Sequence, residues 1–332
     1  MGDGASYLYQ SGKEYENIFP FWDWKKVPGT TVHQDEKELP VLTAAGYRIQ
    51  SNFVGGVSDG KTGIAVMDYN RDGITAKKTW FMFHDLVVCM GAGITSATGS
   101  PVTTSVNQSF LKNEVIVKEE SETILVAESS QTLNPKWILH DQAGYYFPGG
   151  GNLKLETKTV TGSWNRVALM YKDEPIHSRI FKLWFEHGIN PSDQSYAWCL
   201  VPHATKAQMQ QMEMNPLFRI VKNENDLQAV IAADQKWGGA VFHKAGKIDL
   251  LGVIETNHPA VVMVKSEKKE LLISVSDPTQ KLNEIQITLT GHYQTEHPSV
   301  KITSNHDQSI LTVSLPKGVD AGKTVSMELV EK

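Results

Sequence analysis

One pattern constrains this chain more than any other: short apolar runs, alternating or continuous, each closed by Gly, Asn, Asp or Pro. GIAVMDY, WFMFHDLVVCM, NLKLETKTV, RIFKLWFEH, AVVMVKS, IQITLT and VSMELVE are examples, spread along all 332 residues. The runs are rich in β-branched and aromatic side chains, which suit a pleated, half-buried surface, and turn-forming residues separate them. Roughly fifteen or more segments read this way, so the fold class is all-β. Near NPLFRIVKNEND the composition shifts to shorter, regular strands with small turns such as SDP, TGHY and SNHD. The expected organisation is a large antiparallel β sandwich over residues 1–222, then a smaller β-sandwich-like domain over 223–332. No period of about 20–50 residues repeats, which argues against a propeller or solenoid.

Two stretches carry helical spacing. Residues 203–214, HATKAQMQQMEM, follow a proline and are good helix formers, predicting a short surface helix with Met209, Met212 and Met214 covering core. ENDLQAVIAADQ is the weaker of the two.

Composition excludes some classes of function. A formal net charge of −5 provides no basic face for a phosphate backbone, so nucleic acid is not an expected partner. No apolar run reaches the roughly 18 residues of a membrane span, and MGDGASYLYQ lacks the basic and apolar regions of a signal peptide. Cys89 and Cys199 sit in apolar runs and read as buried free thiols.

Candidate chemistry is sparse. The Gly-rich pieces FVGGVSDGKTG, MGAGITSATGS and FPGGGN fit no phosphate-loop spacing, and the scattered histidines fit no zinc motif. In QSNFVGGVSDG, the oxygens of Gln50, Asn52, Ser58 and Asp59 could cage a calcium ion, although Asp-Gly at a hairpin turn explains Asp59 without one. His84-Asp85 and His140-Asp141 each end an apolar strand. Neighbours on a strand point to opposite faces, so strand-end hydrogen bonding is the better reading than a His-Asp relay. Residues 14–34, EYENIFPFWDWKKVPGTTVHQ, form neither a clean helix nor a clean strand. Their Phe19, Phe21, Trp22 and Trp24 provide flat apolar faces of the kind that form a core or stack on sugar rings, and on local evidence core packing is the default reading.

DGASYLYQSGKEYENIFPFWDWKKVPGTT resembles the start of the central β domain of polysaccharide lyase family 8, the chondroitin AC, hyaluronate and xanthan lyase group. The resemblance continues in order through NFVGGVSDG, AKKTWFMF, LVVCMGAGI, TTSVNQSFL, WILHDQAGYYFPGGGNLKLET, GSW and FKLWFEHG. It reaches the last domain through AVFHKAGKIDLLGVIETNHPAVVMVK and SDPTQK.

It implies a secreted or periplasmic enzyme that cleaves uronic-acid polysaccharides by β-elimination, with an acidic polysaccharide as partner and no required cofactor. In the family the Asn, His, Tyr and Arg that do the chemistry lie on an N-terminal α/α toroid, for which this chain has no counterpart. The chain alone is therefore expected to be catalytically incomplete. The resemblance carries an accessory, orienting glutamate onto Glu14, with Glu16 as runner-up, and leaves Trp22 and Trp24 as substrate-binding candidates. It also implies a possible Ca2+ near VSDG, with Asp59 as ligand, although Arg48 and Gln50 stand where acidic ligands are expected. A stand-alone carbohydrate-binding or scaffold protein of the same fold, using Trp22, Trp24 or Trp80 in a groove, is the alternative. A sandwich of the sugar mutarotase kind is a third reading, because sandwiches host many functions.

Overall fold

The computed structural model describes residues 2–36, 50–125 and 127–332. Among them are twenty-six strands, three 3-10 turns and one α-helix, so the chain is all-β. By contacts it divides into two units. Unit one is Met1–Gln50, Tyr69–Thr75 and Ile94–Met214, and unit two is Ser51–Asp68, Ala76–Gly93 and Asn215–Lys332.

In unit one, a five-stranded antiparallel sheet runs in the order Thr31–His33, Pro101–Phe110, Ile176–Ile189, Leu153–Gly162, Ser129–Leu133. The period of two shows in Leu153–Gly162, where Leu153, Leu155 and Thr157 are buried while Lys154 and Lys158 are exposed. The central strand departs from alternation: Ile180 to Phe185 are all buried. One face explains Phe181 and Phe185, whose rings meet His140 and Tyr145, and Phe147 and Tyr196, of a second group of strands. That group runs in the order Gln194–Val201, Ala143–Tyr146, Trp137–His140, Val115–Lys118, Glu122–Leu125. The other face is covered by the N-terminal segment, where Tyr15, Ile18, Phe21, Trp22 and Val27 form a cluster with Ile180.

The N-terminal segment is neither helix nor strand for most of its length. It makes a 3-10 turn, Phe19–Phe21, with Pro20 in the first turn, and joins the sheet only at Thr31–His33. Gly29 turns the chain at φ +83, and its N–H donates to Ser105 O at 2.8 Å. Gly162 seats the 3-10 turn, because a Cβ there would lie 2.1 Å from Pro20 O. Gly162→Ala is accordingly expected to destabilise the protein by about 1–3 kcal/mol through overpacking. A thermal melt within one degree of the parent would refute this.

The predicted helix is present as Lys206–Met214. Thr205 and Gln208 form a reciprocal capping box, Thr205 N to Gln208 Oε1 at 2.8 Å and Gln208 N to Thr205 Oγ1 at 3.3 Å. Met209 and Met212 are buried as expected, whereas Met214 is exposed. The weaker helical reading is corrected: ENDLQAVIAADQ contains the turn between strands Phe218–Glu224 and Leu227–Ala232. All six residues of the second strand are buried. A continuous apolar run covered on both faces mimics a buried helix when judged by periodicity.

Unit two pairs a seven-stranded sheet with a five-stranded one. The first runs Phe218–Glu224, Leu227–Ala232, Trp237–Phe242, Ala260–Glu267, Glu270–Ser276, Val325–Glu331, Tyr293–Gln294. The second runs Gly246–Leu250, Val253–Thr256, Glu284–Thr290, Gln308–Ser314, Val300–Asn305. Their inner faces share one core that includes Phe242, Val262, Ile273, Ile287, Leu311 and Val313. The earlier segments of this unit add Phe83, stacked on Trp237 at 4.2 Å and 13°. Both cysteines are buried and free, and burial pushes the Cys89 thiol up.

Candidate functional site

The loop before the first 3-10 turn is organised by Glu14. One carboxylate oxygen, Oε1, accepts from Ser11 N at 2.7 Å, Ser11 Oγ at 2.8 Å and Gln10 N at 3.2 Å. Burial works to raise its pKa, but these donors outweigh it and hold the carboxyl at about 2, so Glu14 is ionised at any ordinary pH. Two residues on, Glu16 is exposed, and Asn17 adopts a left-handed backbone at φ +61.

Glu14 also lines a small cavity in unit one, about 20 Å³, shared with Gln10, Tyr15, Asn107, Lys112, His140 and Tyr145 among others. A hydrogen-bonded chain crosses it: Tyr15 Oη donates to Asn107 Oδ1 at 3.1 Å, and Asn107 Nδ2 donates to Tyr145 Oη at 2.6 Å. Burial raises both phenols, so they stay protonated. His140 is buried and stacked on Phe181, and burial lowers its pKa to about 4, leaving it neutral. Asp141 and Gln142 form a left-handed two-residue turn after it, and Asp141 Oδ1 accepts from Asn113 Nδ2 at 2.8 Å. His84 and Asp85 form the same kind of turn in unit two. His84 Nε2 there stands 3.6 Å from Asp234 Oδ2.

Trp22 and Trp24 lie side by side, centroids 6.0 Å apart at 31°, with Phe19 against both at 5.7 and 5.5 Å. Their environments differ: Trp22 is 8% exposed, Trp24 41% and Phe19 46%. Tyr7 and Tyr9, both exposed, extend the aromatic surface past Tyr15. Trp80 is half-buried.

Asp59 belongs to unit two and serves a turn. Its Oδ1 accepts from Lys61 N at 3.0 Å and Thr62 N at 2.8 Å, and its Oδ2 is paired with Lys265. These partners hold its carboxyl at about 2 despite burial. A cation already occupies one oxygen, and among the described residues no group of three or more His, Cys, Asp or Glu could hold a metal ion. Asp59 is thus satisfied by its own turn and by Lys265. Arg48 lies outside the described residues.

A second polar cluster in unit two had no local sequence signal. His243, whose side chain is buried, has Nδ1 3.0 Å from Asp68 Oδ1, and Asp68 also pairs with Lys77. His243 Nε2 is 3.3 Å from Gln228 Oε1, which also accepts from Thr79 Oγ1 at 2.6 Å.

Residues 1–213 match the super-sandwich domain of polysaccharide lyase family 8, and residues 219–286 match the family's C-terminal beta-sandwich domain. The chain belongs to polysaccharide lyase family 8. Among curated members of the family, chondroitinase-AC of Pedobacter heparinus is 34% identical over 85% of this chain and 40% of that protein. Xanthan lyase of a Bacillus species is 32% identical over 91% of this chain and 34% of that protein. A solved chondroitinase AC lyase, described through its oligosaccharide complexes, superposes at TM-score 0.87 with 31% identity, covering 98% of this chain and 47% of the other. A Paenibacillus xanthan lyase structure superposes at 0.88 with 28% identity, covering all of this chain and 33% of its own. The chain thus spans less than half the length of these family 8 lyases. No helix among its described residues is long and apolar enough to cross a membrane.

Proposed function

We propose that this chain forms the β portion of a lyase that cleaves a glycosaminoglycan of the chondroitin or hyaluronan type by β-elimination at uronic acid. The observation that carries the reading is Glu14: an ionised carboxylate fixed by its own loop, at the position where family resemblance puts an accessory group. In the reaction a base takes the proton on C5, alpha to the uronate carboxylate. The C4–O bond breaks as the C4–C5 double bond forms, and an acid protonates the departing oxygen. A neutraliser of the carboxylate makes the C5 proton acidic enough for this. Glu14, already charged, is suited to orient cationic or phenolic groups and not to act as the acid. Base, acid and neutraliser come from an N-terminal α/α toroid, and the working protein is secreted or periplasmic. Exposed Trp24 and Phe19 stack on the polymer, while Trp22 supports them from beneath.

The test is ultraviolet absorbance of the unsaturated uronate product on chondroitin and hyaluronan. A protein joining this chain to a toroid is expected to generate it, and the 332-residue chain alone is not. Turnover by the chain alone would overturn the incompleteness. Glu14→Ala in the longer protein is expected to lower kcat about 10²-fold through misplaced partners, and an unchanged kcat would remove Glu14 from the reading. Exposed Trp24 also supports the carbohydrate-binding alternative. Chondroitin binding with no product from the longer protein would favour that alternative.

A further inference from the structure

Glu14 and His140 both line this cavity, and each has a buried side-chain atom with no protein hydrogen-bond partner, Glu14 Oε2 and His140 Nε2. Buried polar atoms of this kind are normally satisfied by ordered water, which needs roughly 10–15 Å³ and two to four polar neighbours. The cavity provides about 20 Å³ and is lined by further donors and acceptors on Asn107, Ser109, Tyr145 and Gln10. His140 has little freedom to turn elsewhere: it is 2% exposed and its ring is stacked on Phe181 at 4.4 Å and 21°.

We propose that His140 is a positioning residue for Glu14, acting through one water held in this cavity. The Nε2–H of His140 donates to the water, and the water donates to Glu14 Oε2, which completes the shell of the carboxylate begun by Ser11 and Gln10. The proton of the neutral imidazole is thereby placed on Nε2. Other charged or titratable groups facing the cavity are Lys112, Asp141, Tyr15 and Tyr145. Lys112 and Asp141 are turned toward each other, with Nζ 3.9 Å from Oδ2, and the phenols are protonated. Tyr15 Oη is committed to Asn107 and Tyr145 Oη already accepts from Asn107, whereas His140 Nε2 has no protein partner, which makes it the imidazole donor proposed for the second oxygen of Glu14.

Neither readout is activity, so a failed water bridge and a non-catalytic Glu14 are distinguishable. A crystal structure of the unaltered chain is expected to contain an ordered water within hydrogen-bonding distance of both Glu14 Oε2 and His140 Nε2. Carboxyl-carbon NMR is expected to place the Glu14 midpoint about one unit higher in His140→Phe, which fills the cavity without a donor. His140→Gln, which retains an N–H donor, is expected to restore the parent midpoint. A dry cavity, or a Glu14 midpoint unmoved in a folded His140→Phe protein, overturns the proposal. If His140→Phe does not fold, the crystallographic water and the His140→Gln midpoint decide.

Discussion

Asp277→Ala is expected to be among the most destabilising single changes in unit two, costing about 3–5 kcal/mol at neutral pH. Asp277 is 2% exposed at the end of strand Glu270–Ser276. Its Oδ1 accepts from Thr279 N at 2.8 Å and Thr279 Oγ1 at 2.6 Å, and its Oδ2 accepts from Lys281 N and Leu282 N, both at 2.8 Å. Truncation leaves three backbone donors without their acceptor, and unmade buried hydrogen bonds cost about 1–3 kcal/mol each. The same carboxylate gives the effect a sign with pH. Burial works to raise its pKa, the donors outweigh that, and the net shift is downward. A depressed folded pKa means stability that is present above the unfolded value of about 4 and lost as pH falls through the folded one. The gap between parent and Asp277→Ala urea midpoints should be wide at pH 7 and shrink as pH falls below about 4. Equal midpoints at pH 7 would sink the account.

Particular residues mark where reading from sequence succeeds and where it stops. Leu153, Leu155 and Thr157 report a half-buried strand because burial alternates with the pleat, and the pleat is local. Thr205 and Gln208 likewise report a helix start from within one turn. Val230 and Ile231 mislead, because a run buried on both faces has no period left to read. Glu14 was legible only through family resemblance, and its local sequence does not distinguish it from Glu16. The cavity beside it was not legible. Tyr15 meets Asn107 across 92 positions and Asn107 meets Tyr145 across 38, contacts set by strand register and not by spacing. The Asp68–His243 pair is of the same kind. Asp59 shows the converse: an acidic turn suggests a cation by composition, and the cation the fold supplies is Lys265.

Phe181→Ala is expected to cost unit one about 3–5 kcal/mol, the range for removing a large ring from a packed core. Phe181 is fully buried, sits opposite Thr157 in one neighbouring strand and Ser109 in the other, and stacks near His140 and Tyr145. Alanine leaves a void under the imidazole, and the surrounding sheets relax only in part. Phe181→Leu keeps most of the volume and is expected to lose about 1.5 kcal/mol or less. Urea unfolding of the three proteins orders them, and a loss below about 1 kcal/mol for the alanine variant contradicts this packing. The histidine provides a second, independent readout. Burial holds His140 at about 4, so the unfolded chain, near 6.5, takes up its proton first. Unit one therefore loses stability as pH falls from about 6.5 toward 4, and regains it in the opposite direction. With Phe181 gone, water reaches the ring, the folded midpoint rises toward 6.5 and that window of pH dependence narrows. If stability falls while the His140 midpoint stays at about 4, the burial of His140 is set by the strand carrying it and not by the ring beneath it.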